Sequence, residues 1–120
     1  MVTRTARALG TGVISIIIGV GGVLAHHGWS GYDSSQTLSL SGTIQESGYE
    51  HPHGYVKLVV SDKEWVVVLA PPSRMESRGL PRGMLTVGTL ASVEGYPSRS
   101  DPNEMRAERI IVNGKTVELR

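Results

Sequence analysis

The sequence contains no cysteine and no phenylalanine, and neither sign of charge dominates. Without cysteine there can be no disulfide framework and no thiolate zinc site. Twelve basic residues face 11 acidic ones, so the basic face that a nucleic-acid-binding domain needs is missing. Arg74, Arg78 and Arg82, spaced by four, are typical of a solvated helix face instead. These absences exclude a disulfide-stapled scaffold and argue against a nucleic-acid partner.

The one long apolar run lies at the N-terminus. Arg4 and Arg7 precede a small and aliphatic stretch over residues 8–24, and Val23-Leu24-Ala25 offers a signal-peptidase site. This layout predicts a secretory signal peptide over residues 1–25 that is cleaved after Ala25, while an uncleaved membrane anchor is the alternative. Cleavage predicts a periplasmic or secreted chain with no stable membrane insertion.

Residues 26–120 read as one small domain made mainly of β-strands. "TLSLSGTIQE" alternates apolar and polar side chains, "YVKLVV" and "EWVVVLA" form a hairpin with a turn at Asp62-Lys63, and "TLASVEGYP" adds a strand. An Asn-Gly turn at 113–114 joins two final strands. "PPSRMESRGL" is the one helical segment. The pattern predicts an all-β fold, a small OB-like barrel of five to six strands with one short helix and Trp65 as its core aromatic.

All four histidines fall in two short clusters, "AHHGW" and "YEHPHGY". Cleavage after Ala25 would make His26 the N-terminal residue, whose amine and ring nitrogen can chelate one metal ion. An extended segment would point His51 and His53 to the same side. Nitrogen donors in a T-shaped arrangement, a histidine brace, suit Cu(II), and zinc is the next candidate. Surface histidines without function are the alternative.

Other residues near the clusters have two interpretations each. Trp29 could wall a metal from water or anchor the N-terminal arm on the barrel, and for Tyr55 the anchoring role is favoured. Asp33 could orient an imidazole or cap a turn. No Ser-His-Asp set, carboxylate pair or phosphate loop accompanies the histidines, so the sequence does not predict an enzyme.

The motifs "AHHGWSGYD", "LSLSGTIQE", "HPHGYVKLVV", "EWVVVLAPPSRMESRGL" and "TVGTLASVEGYPS" follow one another in a recognisable order. In that order they resemble a family of small exported proteobacterial proteins of unknown function. The resemblance implies an exported, compact β fold and matches His26, His27 and His53. The family pattern has Asn where this chain has His51, which makes His53 the better candidate ligand of the second cluster.

Two functions follow from these observations. The first is a periplasmic metal carrier or buffer that holds copper through His26, His27 and His53, with His51 as a fourth donor. The second is an exported OB-like module that binds a protein or glycan partner, in which the histidines are incidental. An oxidative copper enzyme ranks lower, because so short a chain leaves little surface for a substrate platform.

Overall fold

A computed structural model describes residues 28–120. Its strands are β1 (Leu38–Gly48), β2 (Tyr55–Val60), β3 (Lys63–Val68), β4 (Leu90–Pro97), β5 (Glu104–Val112) and β6 (Lys115–Glu118). One helix, α1 (Pro72–Ser77), and two 3-10 turns (Trp29–Gly31 and Arg82–Leu85) complete the fold. The predicted signal peptide (residues 1–25), His26 and His27 lie outside the described residues.

The first five strands close into a barrel. The sheet runs in the order β3-β2-β1-β4-β5-β6, and a parallel pairing of β3 with β5 joins its two sides. That seam has three residue pairs, Val66–Glu104, Val67–Met105 and Val68–Arg106, whereas the other neighbouring strands are antiparallel. The structure confirms the predicted all-β fold, a small OB-like barrel with one extra strand and one short helix.

Alternating side chains on the strands fill the barrel, as the sequence pattern predicts. Ile44, Leu58, Val67, Val93 and Ile110 are fully buried. Irregularities in the register bend β1 after Ile44 and bend the β4–β5 pair after Glu94, which is how short strands curve into a closed barrel. The Asn113–Gly114 turn has positive φ at both residues, as a two-residue hairpin turn requires.

Helix α1 is tied to the C-terminal backbone by Arg74 and by Arg78, the residue that follows its last turn. Met75 of α1 is fully buried. Arg74 donates to the carbonyl of Leu119 at 3.0 Å, and Arg78 donates to the carbonyl of Glu118 at 2.8 Å. Arg78 and Arg82 are exposed, as the prediction of a solvated face has them, whereas Arg74 is partly buried. The helix ends at Ser77, so the three arginines do not lie on one helix face.

Two details of the β2–β3 hairpin differ from the sequence prediction. The turn falls on Ser61 and Asp62, one residue earlier than predicted, with Ser61 at a φ of 59°. Trp65 lies opposite the buried Leu58 but is only partly buried itself, with the Lys63 ammonium 3.8 Å from its ring centroid. Aromatic burial falls instead on Tyr32 and Tyr49, both 7% exposed.

We expect Trp65→Ala to cost about 2 kcal/mol of unfolding free energy, less than truncation of a fully enclosed aromatic, because part of the ring already contacts water. Leu58→Ala, across the same strand pair, should cost more, about 3 kcal/mol, since it leaves a cavity in a closed core. Urea denaturation of both variants measures the difference. A larger loss for Trp65→Ala would contradict this placement of the core.

Candidate functional site

The loop between β1 and β2 carries both histidines of the second cluster and opens onto a cleft. His51 and His53 both line this cleft of about 430 Å³, whose walls also include Tyr49, Tyr55 and Arg82. His51 is exposed and His53 is partly buried, with a cis peptide bond between His51 and Pro52. That the two rings point to the same side of the loop stays a prediction.

Tyrosine and arginine side chains shape the cleft. The hydroxyl of the buried Tyr49 donates to the carbonyl of Leu80 at 2.6 Å, which ties the loop to the segment after α1. The Arg82 guanidinium lies 5.3 Å from the Tyr49 ring centroid, within the range of a cation–π contact. Tyr55 donates to a carboxylate oxygen of Glu46 at 2.5 Å. The cleft therefore has walls held by hydrogen bonds and an open mouth.

A buried arginine contacts His53 from the outside of the barrel. Arg106 lies on β5, where its partners are Val68 of β3 and Tyr96 of β4. It is only 4% exposed, and its Nη2 is 3.2 Å from Nε2 of His53. Burial lowers the pKa of Arg106 from its usual value, and the positive charge of Arg74 acts in the same direction.

The N-terminal arm covers this arginine. The Trp29 ring centroid is 4.4 Å from Cζ of Arg106 and 4.5 Å from Cζ of Arg120. Tyr96 meets the same ring edge-on at a centroid distance of 6.1 Å. Cation–π and edge-to-face contacts of this kind each stabilise by about 0.5–1.5 kcal/mol. Together they dock Trp29 on the outer surface of β4 and β5.

Backbone bonds and one tyrosine hold the arm immediately after Trp29. Tyr32 pairs with Ser98 as an isolated bridge, and the amide of Arg99 donates to the carbonyl of Gly31 at 2.9 Å. The hydroxyl of Tyr32 donates to a carboxylate oxygen of Glu104 at 2.6 Å. Burial is the largest cause of a raised pKa at Tyr32, and this hydrogen bond is the second. The arm is therefore anchored to the β4–β5 loop.

A family model described as a family of unknown function, DUF6152, matches residues 15–106. The chain belongs to this family. The match covers the later part of the apolar N-terminal segment, both histidine clusters and most of the barrel. The family description assigns no activity to DUF6152 proteins. A search among curated proteins finds no match.

Solved structures similar to this DUF6152 chain include two of TiaS. The ZRD-deleted mutant in complex with agmatine is 18% identical with a TM-score of 0.50, and the match covers 73% of this chain and 25% of that chain. The complex of TiaS with its tRNA, AMPCPP and agmatine is 18% identical with a TM-score of 0.51, over 74% and 20% of the two chains. The DUF6152 chain thus spans a quarter or less of TiaS, and the likeness concerns the fold alone.

The structure brings two of the four predicted ligands, His51 and His53, to one cleft, while His26 and His27 lie outside the described residues. Within residues 28–120 there is no group of three or more His, Cys, Asp or Glu side chains arranged to hold a metal ion. In the same range no helix has the length and apolar character to cross a membrane. The predicted metal set therefore remains a prediction.

The neighbouring residues have clearer assignments. Trp29 anchors the arm, as one of its two interpretations proposed. Asp33 caps a turn, since its carboxylate accepts from the Ser35 amide at 3.0 Å and from Nε2 of Gln36 at 2.8 Å. These hydrogen bonds lower the pKa of Asp33, and the bond from the Ser35 side chain has the largest effect.

Sequence reasoning missed Arg106 and Arg120, the two cations on the Trp29 ring. In "NEMRAERIIV" a strand with alternating charges looks like one with a solvated outer face. Only the contact between the N-terminal arm and β5 shows that Arg106 is covered. An outward-facing arginine directly between the apolar residues Met105 and Ala107 is the one local signal that could have drawn attention to it.

Proposed function

We propose that this DUF6152 protein binds a transition-metal ion, copper in preference to zinc, and carries or buffers it in the periplasm or outside the cell. The donors would be the amine and ring of His26, together with His27 and His53, and His51 would be an additional donor. The proposal presumes cleavage after Ala25, because a free N-terminal amine offers the metal a basic lone pair, which an amide that keeps its proton does not.

The observation that carries this proposal is the docking of Trp29. The ring of Trp29 stacks on Arg106, and Arg106 contacts His53. His27 is two residues before Trp29, and each residue extends a chain by at most about 3.6 Å. This reach supports a site in which the first histidine cluster approaches His53.

The chemistry of the donors favours copper. A set of neutral nitrogen ligands suits Cu(II), which heads the divalent affinity series and accepts square or T-shaped geometries. An open cleft beside His53 would let metal enter and leave, as a carrier or buffer requires. The shortage of acidic groups in the cleft, where Glu50 is the one carboxylate, argues against a calcium or magnesium site, which needs oxygen ligands.

Calorimetric titration of the exported, processed protein tests the proposal. We expect Cu(II) to bind more tightly than Zn(II), and His53→Ala to weaken Cu(II) binding at least about tenfold, as loss of one ligand should. A variant with three extra N-terminal residues should weaken it likewise, because the His26 amine becomes an amide and neither histidine becomes the third residue, where it would form a new copper site with the backbone. Intact mass of the exported protein establishes whether His26 is the first residue.

His51→Asn is the matched control. It removes the exposed histidine of the same cleft, and we expect a smaller loss than for His53→Ala. If the processed protein and all three variants bind copper equally weakly, the metal proposal fails. The histidines are then incidental, and an exported interaction module that binds a protein or glycan partner takes its place.

A further inference from the structure

The contact between Arg106 and His53 has a defined direction. A guanidinium group carries only N–H donors and no lone pair. Nη2 of Arg106 therefore donates, and Nε2 of His53 accepts through its lone pair at 3.2 Å. An imidazole that accepts at Nε2 and is neutral carries its proton on Nδ1. Of the two ring nitrogens, Nε2 is thus occupied by Arg106 and Nδ1 is protonated.

We infer that Arg106 and the metal ion compete for Nε2 of His53, so that metal loading displaces Arg106. The inference rests on the proposed function. In this tautomer Nδ1 has no lone pair to offer, and a metal ion can bind only where Arg106 now donates. Ligation through Nε2 leaves the Nδ1 proton in place, so the exchange needs no proton transfer: one hydrogen bond breaks and one coordination bond forms.

The surroundings of Arg106 make it a movable competitor. No ion pair within residues 28–120 includes Arg106, and its buried Nε has no hydrogen-bond partner there. Among the residues that the structure describes, one hydrogen bond to His53 and the Trp29 ring hold the guanidinium group. A guanidinium with unsatisfied donors gains when it turns towards water or another acceptor. Its positive charge next to a metal cation would also weaken binding, which favours release from the site.

Displacement of Arg106 would reach the N-terminal arm. Trp29 stacks on Arg106 on one side and on Arg120 on the other, so departure of Arg106 removes one of its two cation contacts. Metal loading at His53 should therefore change the environment of Trp29, even though an indole does not ligate these metals. This gives the competition an optical signal separate from the affinity itself.

Arg106→Met tests the competition, with Arg120→Met as the matched control. Both remove a cation from the Trp29 ring, but only Arg106 contacts His53. We expect Arg106→Met to bind Cu(II) about tenfold or more tightly than the unmodified protein, as loss of a charge-assisted competing bond implies. Arg120→Met should bind as the unmodified protein does. If His53→Ala weakens binding but Arg106→Met does not strengthen it, the competition is wrong and the proposed function stands.

Two measurements keep the test independent of how well Arg106→Met folds. Nitrogen-15 spectra of the metal-free protein should show His53 protonated at Nδ1 and unprotonated at Nε2. The opposite tautomer would overturn the inference without any metal.

Tryptophan fluorescence is the second measurement. In a Trp65→Phe protein that keeps Arg106, binding of Zn(II), which does not quench fluorescence, should shift the emission of Trp29. Binding with no shift would also overturn the inference. If neither the unmodified protein nor Arg106→Met binds metal, the proposed function fails as well.

Discussion

Gly95→Ala is expected to unfold the protein or to cost more than about 4 kcal/mol of its stability, an exceptional loss for one methyl group. A Cβ at position 95 would lie 1.9 Å from the carbonyl oxygen of Arg106 and 2.7 Å from Cα of Ala107. Both are backbone atoms of β5, so no side-chain rotation can make room. Strands β4 and β5 would have to separate at the register shift beside Glu94. Far-UV circular dichroism and urea denaturation measure the loss.

Gly83→Ala is the control for this prediction. A Cβ at Gly83 meets no atom within 4 Å, so we expect a change within about 0.5 kcal/mol, as at other open surface positions. A stable Gly95→Ala protein with an unchanged denaturation midpoint would mean that β4 and β5 are not paired as described. Because the clash is with the backbone of Arg106, a partly folded Gly95→Ala protein should also lose the contact with His53.

Alkaline pH is expected to destabilise the protein steeply, and Tyr32 should contribute most. Burial and the hydrogen bond to Glu104 raise the pKa of Tyr32 on folding. A raised pKa in the folded state means that the contribution is complete below the unfolded pKa, about 10 for tyrosine, and is lost as pH rises through the folded value. Above pH 10 the loss should approach about 1.4 kcal/mol per pH unit for this one proton.

Tyr32→Phe isolates that contribution. At pH 8 the variant should be less stable than the unmodified protein by about 1.5–3 kcal/mol, the typical contribution of a hydrogen bond to a charged group. The difference should narrow above pH 10, because phenylalanine does not ionise. Tyr55→Phe is the control for the loss of a tyrosine hydroxyl at the surface, since the Tyr55 hydroxyl bonds to the exposed Glu46. A difference between Tyr32→Phe and unmodified protein that stays constant from pH 8 to pH 11 would contradict this account.

The strands and turns of the barrel could be predicted from the sequence because each is specified by residues that are close together in the chain. Alternation along β1, the Asn113–Gly114 turn and the proline-bounded helix each specify an element within a few residues. The sequence does not specify which strands meet across the barrel, because the β3–β5 seam joins residues far apart in the chain. Burial of Trp65 was overestimated: its strand was identified, but the part of the ring that stays in contact with water was not.

The candidate site was predictable only in part. The histidine clusters were visible as composition, and His51 and His53 both line one cleft. Arg106 was not visible, because its role depends on Trp29 lying over β5, a contact between opposite ends of the chain. Charged residues on strands usually face water, and only its two apolar neighbours distinguish Arg106 within β5 from Arg109, which pairs with Glu94 and Glu118 at the surface.

The short β3–β5 seam has a consequence for motion. Sub-global opening of a protein follows its least extensive contacts, and three parallel pairs between distant segments are the shortest junction in this barrel. His53 lies two residues before the start of β2, which remains paired with β3, whereas Arg106 lies on β5. Parting of the seam would therefore draw Arg106 away from His53. Amide protons of residues 66–68 should exchange with solvent sooner than those of β1. Their exchange rate should match the rate at which the seam parts and exposes Nε2 of His53.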